Sequence, residues 1–149
     1  MARPSFADAD YQQLLKLRTN LRRFLAWSER QAHAVGLTPA QHQLLLAIRG
    51  HDDPRGPTIA QVADYLMLKQ HSAAELIRRA AARGLLERDS YSGDAYAVRL
   101  TLTVKGAAAL EQLAPPHLEE LSRLARDFWP LRQALPSGRG RSAGNGGSH

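Results

Sequence analysis

The residues of this chain best suited to chemistry sit between Lys69 and Gly84, in the stretch KQHSAAELIRRAAARG. Wound as a helix, the stretch divides by face. Ala73, Leu76, Ile77 and Ala80 recur at i, i+3, i+4, i+7 and form an apolar stripe. His71, Ala74, Glu75 and Arg78 fall on the opposite stripe, with Ser72, Arg79 and Arg83 along one flank. Such a surface makes and breaks no covalent bonds. It donates and accepts hydrogen bonds and attracts anions, and its small alanines let a partner approach closely. Lys69, Arg78 and Arg79 suit phosphates, and the arginines also suit guanine edges. Gln70, His71 and Ser72 stand at the helix N-terminus, where a base edge and a phosphate are both within reach. Glu75 has two readings. It can accept from cytosine N4, or fold back on Ser72 in the capping-box spacing Ser72-Ala-Ala-Glu75.

The elements around this stretch are those needed to hold it. Thr58-Ile-Ala-Gln61 opens a short helix with a capping box, and Ile59, Val62, Ala63 and Leu66 are its inward face. Two helices joined by a tight turn, the second with a polar outer face, make a helix-turn-helix. After Gly84, Leu85–Arg88 reads as a strand and 89–94 as a turn. Tyr96, Val98, Leu100 and Leu102 alternate as the second strand of a hairpin, the wing. Upstream, Thr38-Pro39-Ala40-Gln41 starts a helix that Gly50 ends. A long first helix opens near Ser5 or Asp8 and stops at Gly36. Its Leu14, Leu17, Leu21, Phe24 and Trp27 or Ser28 stripe is longer than so small a domain can cover, which points to a second chain. Thr103 caps a further helix over 104–113, which Pro115-Pro116 interrupts. His117 to Leu135 resumes it with Leu118, Leu121, Leu124, Phe128 and Leu131 on one stripe. The tail 136–149 is Gly/Ser-rich and expected to be disordered.

Composition narrows the partner. The 149 residues carry a formal charge of +6, which favours an anionic partner, most simply nucleic acid. Cysteine is absent, which excludes disulfides, thiolate metal sites and a Cys nucleophile. No nucleophile elbow, P-loop or helical metal-ligand pair appears, so no enzyme and no metal or cofactor is expected. His33, His42 and His51 recur nine residues apart, without the i, i+4 spacing of a helical ligand pair. No run is long and apolar enough for a membrane span or a signal peptide, so a cytoplasmic protein is expected.

The words LTPAQHQLLLAI (37–48), PTIAQVADYL (57–66), HSAAELIRRAAARGLLER (71–88) and LTLTVKG (100–106), in this order, resemble the MarR family of bacterial transcription regulators. The resemblance covers roughly 8 to 135. It implies a mainly α fold with a small β-hairpin wing: a winged helix-turn-helix domain over 37–102, and dimerisation helices over 1–36 and 103–135. It further implies a homodimer on double-stranded DNA that represses a gene until a small aromatic or anionic effector binds. Lys69, Gln70, His71, Ser72, Glu75, Arg78, Arg79, Arg88 and Tyr91 are then the expected DNA contacts, and Arg22, Trp27 and His42 the expected effector residues. The chain departs from the family pattern in the wing. Asp94 is kept, but Tyr96 stands where the family usually has arginine. Arg88, Tyr91 and Arg99 are the candidate replacements. The alternative reading is a winged-helix module that binds protein rather than DNA.

Overall fold

The structure, a computed structural model, describes residues 6–90 and 98–134. The elements in order are α1 (Asp8–Ala34), α2 (Pro39–Gly50), α3 (Ile59–Leu66), α4 (Gln70–Ala82), β1 (Leu86–Ser90), β2 (Val98–Leu102) and α5 (Val104–Ala134). The mainly α fold with a hairpin wing is as the sequence implies.

Threonine caps and left-handed stops set most of the boundaries. Thr38 and Thr58 each accept the amide of the residue three on, at 3.1 and 3.2 Å, while Gln41 and Gln61 reach back to the threonine amides. Thr103 accepts from Gly106 N at 3.1 Å and starts α5. Gly36 and Gly84 take φ of 81° and 72° just past α1 and α4. In each case the next amide returns to a carbonyl five residues back, Leu37 to Ala32 and Leu85 to Ala80. The turn between α3 and α4 repeats this motif, Leu68 N to Ala63 O at 2.9 Å. Its left-handed residue, however, is Met67 at φ 53°.

The core lies where α2, α3, α4 and the hairpin meet the first turns of α5. Leu44, Leu45 and Ile48 of α2 pack with Val62 and Ala63 of α3 and with Ala73, Ile77 and Ala80 of α4. Leu85, Leu86, Leu100, Leu110 and Leu113 close it. The inward residues of α4 are mostly small, which brings the helix axis close to its neighbours. The hairpin is antiparallel, with Leu86 opposite Leu102 and Arg88 opposite Leu100. Pro57 and Thr58 extend it, since Leu100 N donates to Pro57 O and Thr58 bridges to Arg99.

Helix α1 opens at Asp8, as expected, and two other expectations need correction. Ala7 occupies the cap position, and the Asp10 carboxylate accepts its amide at 2.9 Å; Ser5 lies outside the described residues. The first strand begins at Leu86, because Leu85 is taken up in closing α4. The described part of the second strand is Val98–Leu102, and Tyr96 lies outside the described residues. Most consequentially, Pro115-Pro116 does not interrupt the C-terminal helix, and α5 runs unbroken for 31 residues. Two prolines remove two helical donors, a cost of about 3 kcal/mol or more each in an isolated helix. Here α5 is held on both sides of them. Leu110 and Leu113 are buried before the prolines, and after them His117 and Asp127 bond to Ser28 and Asn20 of α1. Tertiary packing overrides the local preference.

No described helix is long and apolar enough to cross a membrane. Even so, α1 and the distal part of α5 leave large side chains open. Leu15 is 68% exposed, Leu25 57%, Leu118 65% and Trp129 57%.

Candidate nucleic-acid interface

The α4 helix is fixed in rotation by its buried face. Ala73, Ile77 and Ala80 are fully buried, so the residues between them can only face outward. Lys69 is the N-cap and contributes no side-chain cap of its own. The amides of Gln70, His71 and Ser72 therefore form the uncapped first turn, with the positive end of the helix dipole behind them. Lys69, Gln70 and His71 are exposed and Ser72 is half-buried.

The structure replaces the capping reading of Glu75. Helix α4 begins with Lys69 as its cap, three residues before Ser72, which leaves Ser72 inside the first turn. Glu75 instead turns toward the C-terminal end of the helix. Arg78 donates to it from Nε (2.9 Å) and Nη2 (2.7 Å), and Arg79 donates from Nε (3.0 Å). These bonds, Arg78 first, hold the Glu75 carboxyl at about 2, well below the usual range, and push the Arg78 guanidinium up.

Two other arginines of this region are structural. Arg83 donates to Gln41 Oε1 (2.6 Å) and to Gly36 O (2.7 Å), and so ties the end of α4 to the α1–α2 turn. Arg99, a candidate replacement for the wing arginine, is turned inward. It donates to Gly56 O at 3.2 Å and lies 3.7 Å from Asp53. Asp53 also grips Arg55 at 2.8 Å, and that contact is the main cause of its strongly lowered pKa. Arg99 thus braces the 51–57 loop at the base of the wing, where it cannot also reach into a groove. Arg88 is exposed on β1. Tyr91, like Asp94 and Tyr96, lies outside the described residues.

The expected effector residues separate. Trp27 and His42 converge, whereas Arg22 is exposed on α1 and does not join them. What links the two is His117 of α5, which the sequence did not single out. Its ring lies 4.7 Å from Trp27 and 4.8 Å from His42 between centroids. Its Nδ1 faces Leu113 O at 2.7 Å, and its Nε2 faces Ser28 Oγ at 2.7 Å. A carbonyl only accepts, so Nδ1 carries a proton. Burial first, and His117 second, lower the pKa of His42 and favour its neutral form. Beside this cluster a groove of about 540 Å³ opens between α1 and α5. Arg23, Arg30 and Arg123 line it together with Phe24 and Trp27, and Glu120 and Asp127 share its wall. Only a helix kept continuous through the prolines brings His117 into view.

With this geometry in view, the likenesses to known proteins are informative. Residues 35–94, the helix-turn-helix and the start of the wing, match the family model described as MarR family. No curated protein matches the chain. Among solved structures, one MarR family transcription regulator is 24% identical, with a TM-score of 0.68 over 85% of this chain and 82% of the other. A MarR-family regulator from Silicibacter pomeroyi is 23% identical, with a TM-score of 0.65 over 88% of each chain. A point mutant of MarR from E. coli, solved in complex with operator DNA, is 19% identical, with a TM-score of 0.62 over 89% of this chain and all of the other. Over residues 35–94 the chain is similar to the MarR family, and it shares the winged helix-turn-helix fold of these solved regulators.

Proposed function

We propose that the protein is a sequence-specific DNA-binding regulator that acts as a cytoplasmic homodimer. The observation that carries this reading is the outer surface of α4. Lys69, Gln70, His71, Arg78 and Arg79 are exposed on a helix that a fully buried opposite face holds at one rotation. In a dimer two such helices would enter successive major grooves about one turn apart. Lys69 and Arg88 would contact phosphates, Arg78 and Arg79 would reach phosphates or guanine edges, and Gln70, His71, Ser72 and Glu75 would meet base edges. The solved complex of the E. coli MarR mutant with operator DNA supports a DNA partner for this fold, as does the S. aureus MepR mutant bound to an oligodeoxyribonucleotide.

The dimer reading rests on the open apolar residues of α1 and α5. Covering them would require a second copy, and sedimentation at micromolar concentration should give twice the chain mass. Repression relieved by a small aromatic or anionic effector completes the proposal. Trp27 and Phe24 would supply its aromatic wall and Arg23 and Arg30, in place of Arg22, its cations, with His42 buried behind them. No cofactor, metal or catalytic step belongs to this reading. The second reading, a protein-binding winged helix, draws on Tyr96 in place of the wing arginine and on the acidic Glu75 within the outer face.

Fluorescence anisotropy separates the two readings. The full chain is titrated with the duplex upstream of its own gene and with a scrambled duplex, each at two salt concentrations. A DNA regulator binds the first selectively and loses affinity steeply with salt, by a slope of about 0.9 per phosphate neutralised. Weak, equal binding to both duplexes would favour the protein-binding reading.

A further inference from the structure

Glu75 sits at the centre of the outward face of α4, and both of the helix's outer guanidiniums close on it. Surface pairs at i, i+3 and i, i+4 are common and contribute little to stability. This arrangement differs in the number of partners on one carboxylate and in what remains unused. Three donors occupy Glu75, and an ionised carboxylate has about four lone-pair sites, so it can accept one more. Arg78 engages through Nε and Nη2, leaving Nη1 for an outside acceptor. Arg79 engages through Nε alone, leaving both terminal nitrogens. The group thus presents an acceptor flanked by guanidinium donors. Its complement in the major groove is a donor with two adjacent acceptors on one side: cytosine N4–H, which a carboxylate accepts, next to guanine O6 and N7, which a guanidinium pairs bidentately.

We propose that Glu75 is the specificity-determining residue of α4, selecting a C·G pair and restraining Arg78 and Arg79 from gripping phosphates at other sequences. The inference rests on the DNA-binding reading above. Its logic is electrostatic. Swinging either arginine to a phosphate breaks a charge-assisted bond and leaves a carboxylate among the acceptor atoms and phosphates of the groove. At a C·G pair the amino group of cytosine satisfies that carboxylate and guanine takes the guanidinium, so nothing is left unpaired. An A·T pair also offers an amino donor, but its acceptors N7 and O4 are separated by that donor, so it lacks the adjacent O6 and N7 pair that a guanidinium grips.

The test uses the full chain and two variants, Glu75→Ala and Glu75→Gln, the second keeping the side-chain shape. A duplex is selected by the unaltered protein from a randomised pool. Binding to it and to a scrambled duplex is then followed against salt, with helix content checked by circular dichroism. On the scrambled duplex both variants should bind about tenfold more tightly at low salt. Their salt slopes there should steepen by about 0.9 for each arginine released. The ratio of selected to scrambled affinity should fall about tenfold. Repeating the selection with either variant should erase a C·G preference in each half-site. If the variants keep the original ratio and the same selected bases, or lose affinity equally on both duplexes, Glu75 is only a surface ion-pair partner and the inference is overturned. If the unaltered protein shows no salt-sensitive DNA binding, the DNA reading itself falls, and this inference falls with it.

Discussion

Gly106 offers a test in which local and tertiary physics predict opposite signs. It lies in the first turn of α5, in the segment TVKG, with no positive φ to require a glycine. On helix propensity alone, Gly106→Ala should stabilise the protein by up to about 1 kcal/mol. The fold argues otherwise. A Cβ at Gly106 would overlap the backbone carbonyl of Leu85, the residue that closes α4 and leads into the hairpin. A carbonyl cannot rotate aside as a flexible side chain can. Either α5 moves off the hairpin, or the bond from Thr103 N to Leu85 O is lost. Overpacking of this kind costs about 1–3 kcal/mol, and a clash with backbone belongs at the upper end.

Offsetting about 3 kcal/mol by at most about 1 leaves a net loss near 2 kcal/mol. That corresponds to a drop in Tm of roughly 4–8 °C for a chain of this size. Gly50 supplies the control. It ends α2, and a Cβ there meets nothing within 4 Å. Gly50→Ala should be neutral or stabilise by up to about 1 kcal/mol. Urea unfolding of both variants, followed by circular dichroism at matched protein concentration, reads the difference. A Gly106→Ala variant as stable as the parent would refute the close approach of α5 to the end of α4.

Three further outcomes follow from the geometry. The pKa of His42 is lowered in the folded chain, so the unfolded state takes up the extra proton as pH falls below about 6.5. Its contribution to stability is therefore present above that pH and lost on acidification toward the lowered folded value. The margin of the parent over His42→Gln in urea unfolding should shrink between about pH 7.5 and 5.5, and a margin that grows would contradict the sign. Arg83→Ala should cost about 1–2 kcal/mol of stability through its bonds to Gln41 and Gly36. It should leave the salt slope of DNA binding unchanged, whereas Lys69→Ala, at an exposed residue, lowers that slope by about 0.9. Met67 is 92% exposed, yet it stands in the left-handed region at the turn before α4. Thermal unfolding should rank Gly above Met and Met above Val at this position, each step about 1 kcal/mol.

The parts of the fold that the sequence made legible are those decided within four residues. Thr38, Thr58 and Thr103 cap helices because each needs only the amide three positions on, and Gly36 and Gly84 stop helices through their own φ. Legibility failed where a distant contact decided the matter. Pro115-Pro116 reads as a break because the bonds of α5 to Ser28 and Asn20 of α1 are far away in sequence. Losing the continuous helix also hid His117. Glu75 was ambiguous for a different reason. The same three-residue spacing serves Ser72 behind it and Arg78 ahead of it, and only the true start of α4 decides between them.

The cations show the same division, with consequences for function. Lys69, Arg78, Arg79, Arg83, Arg88 and Arg99 look equivalent as letters in a basic stretch. Folding makes them unequal. Arg83 is engaged by Gln41 and Gly36, and Arg99 by Asp53 and Gly56. Arg78 and Arg79 share one carboxylate, so together they present about one net charge, while Lys69 and Arg88 stand exposed. Counting every one of these basic residues would give about six phosphate contacts per chain, whereas the bonded arrangement supports about half as many. The salt slope measures that difference directly. A slope for the parent near the full count would mean that DNA breaks the Glu75 ion pairs on binding, and a slope near half would mean that the pairs persist in the groove.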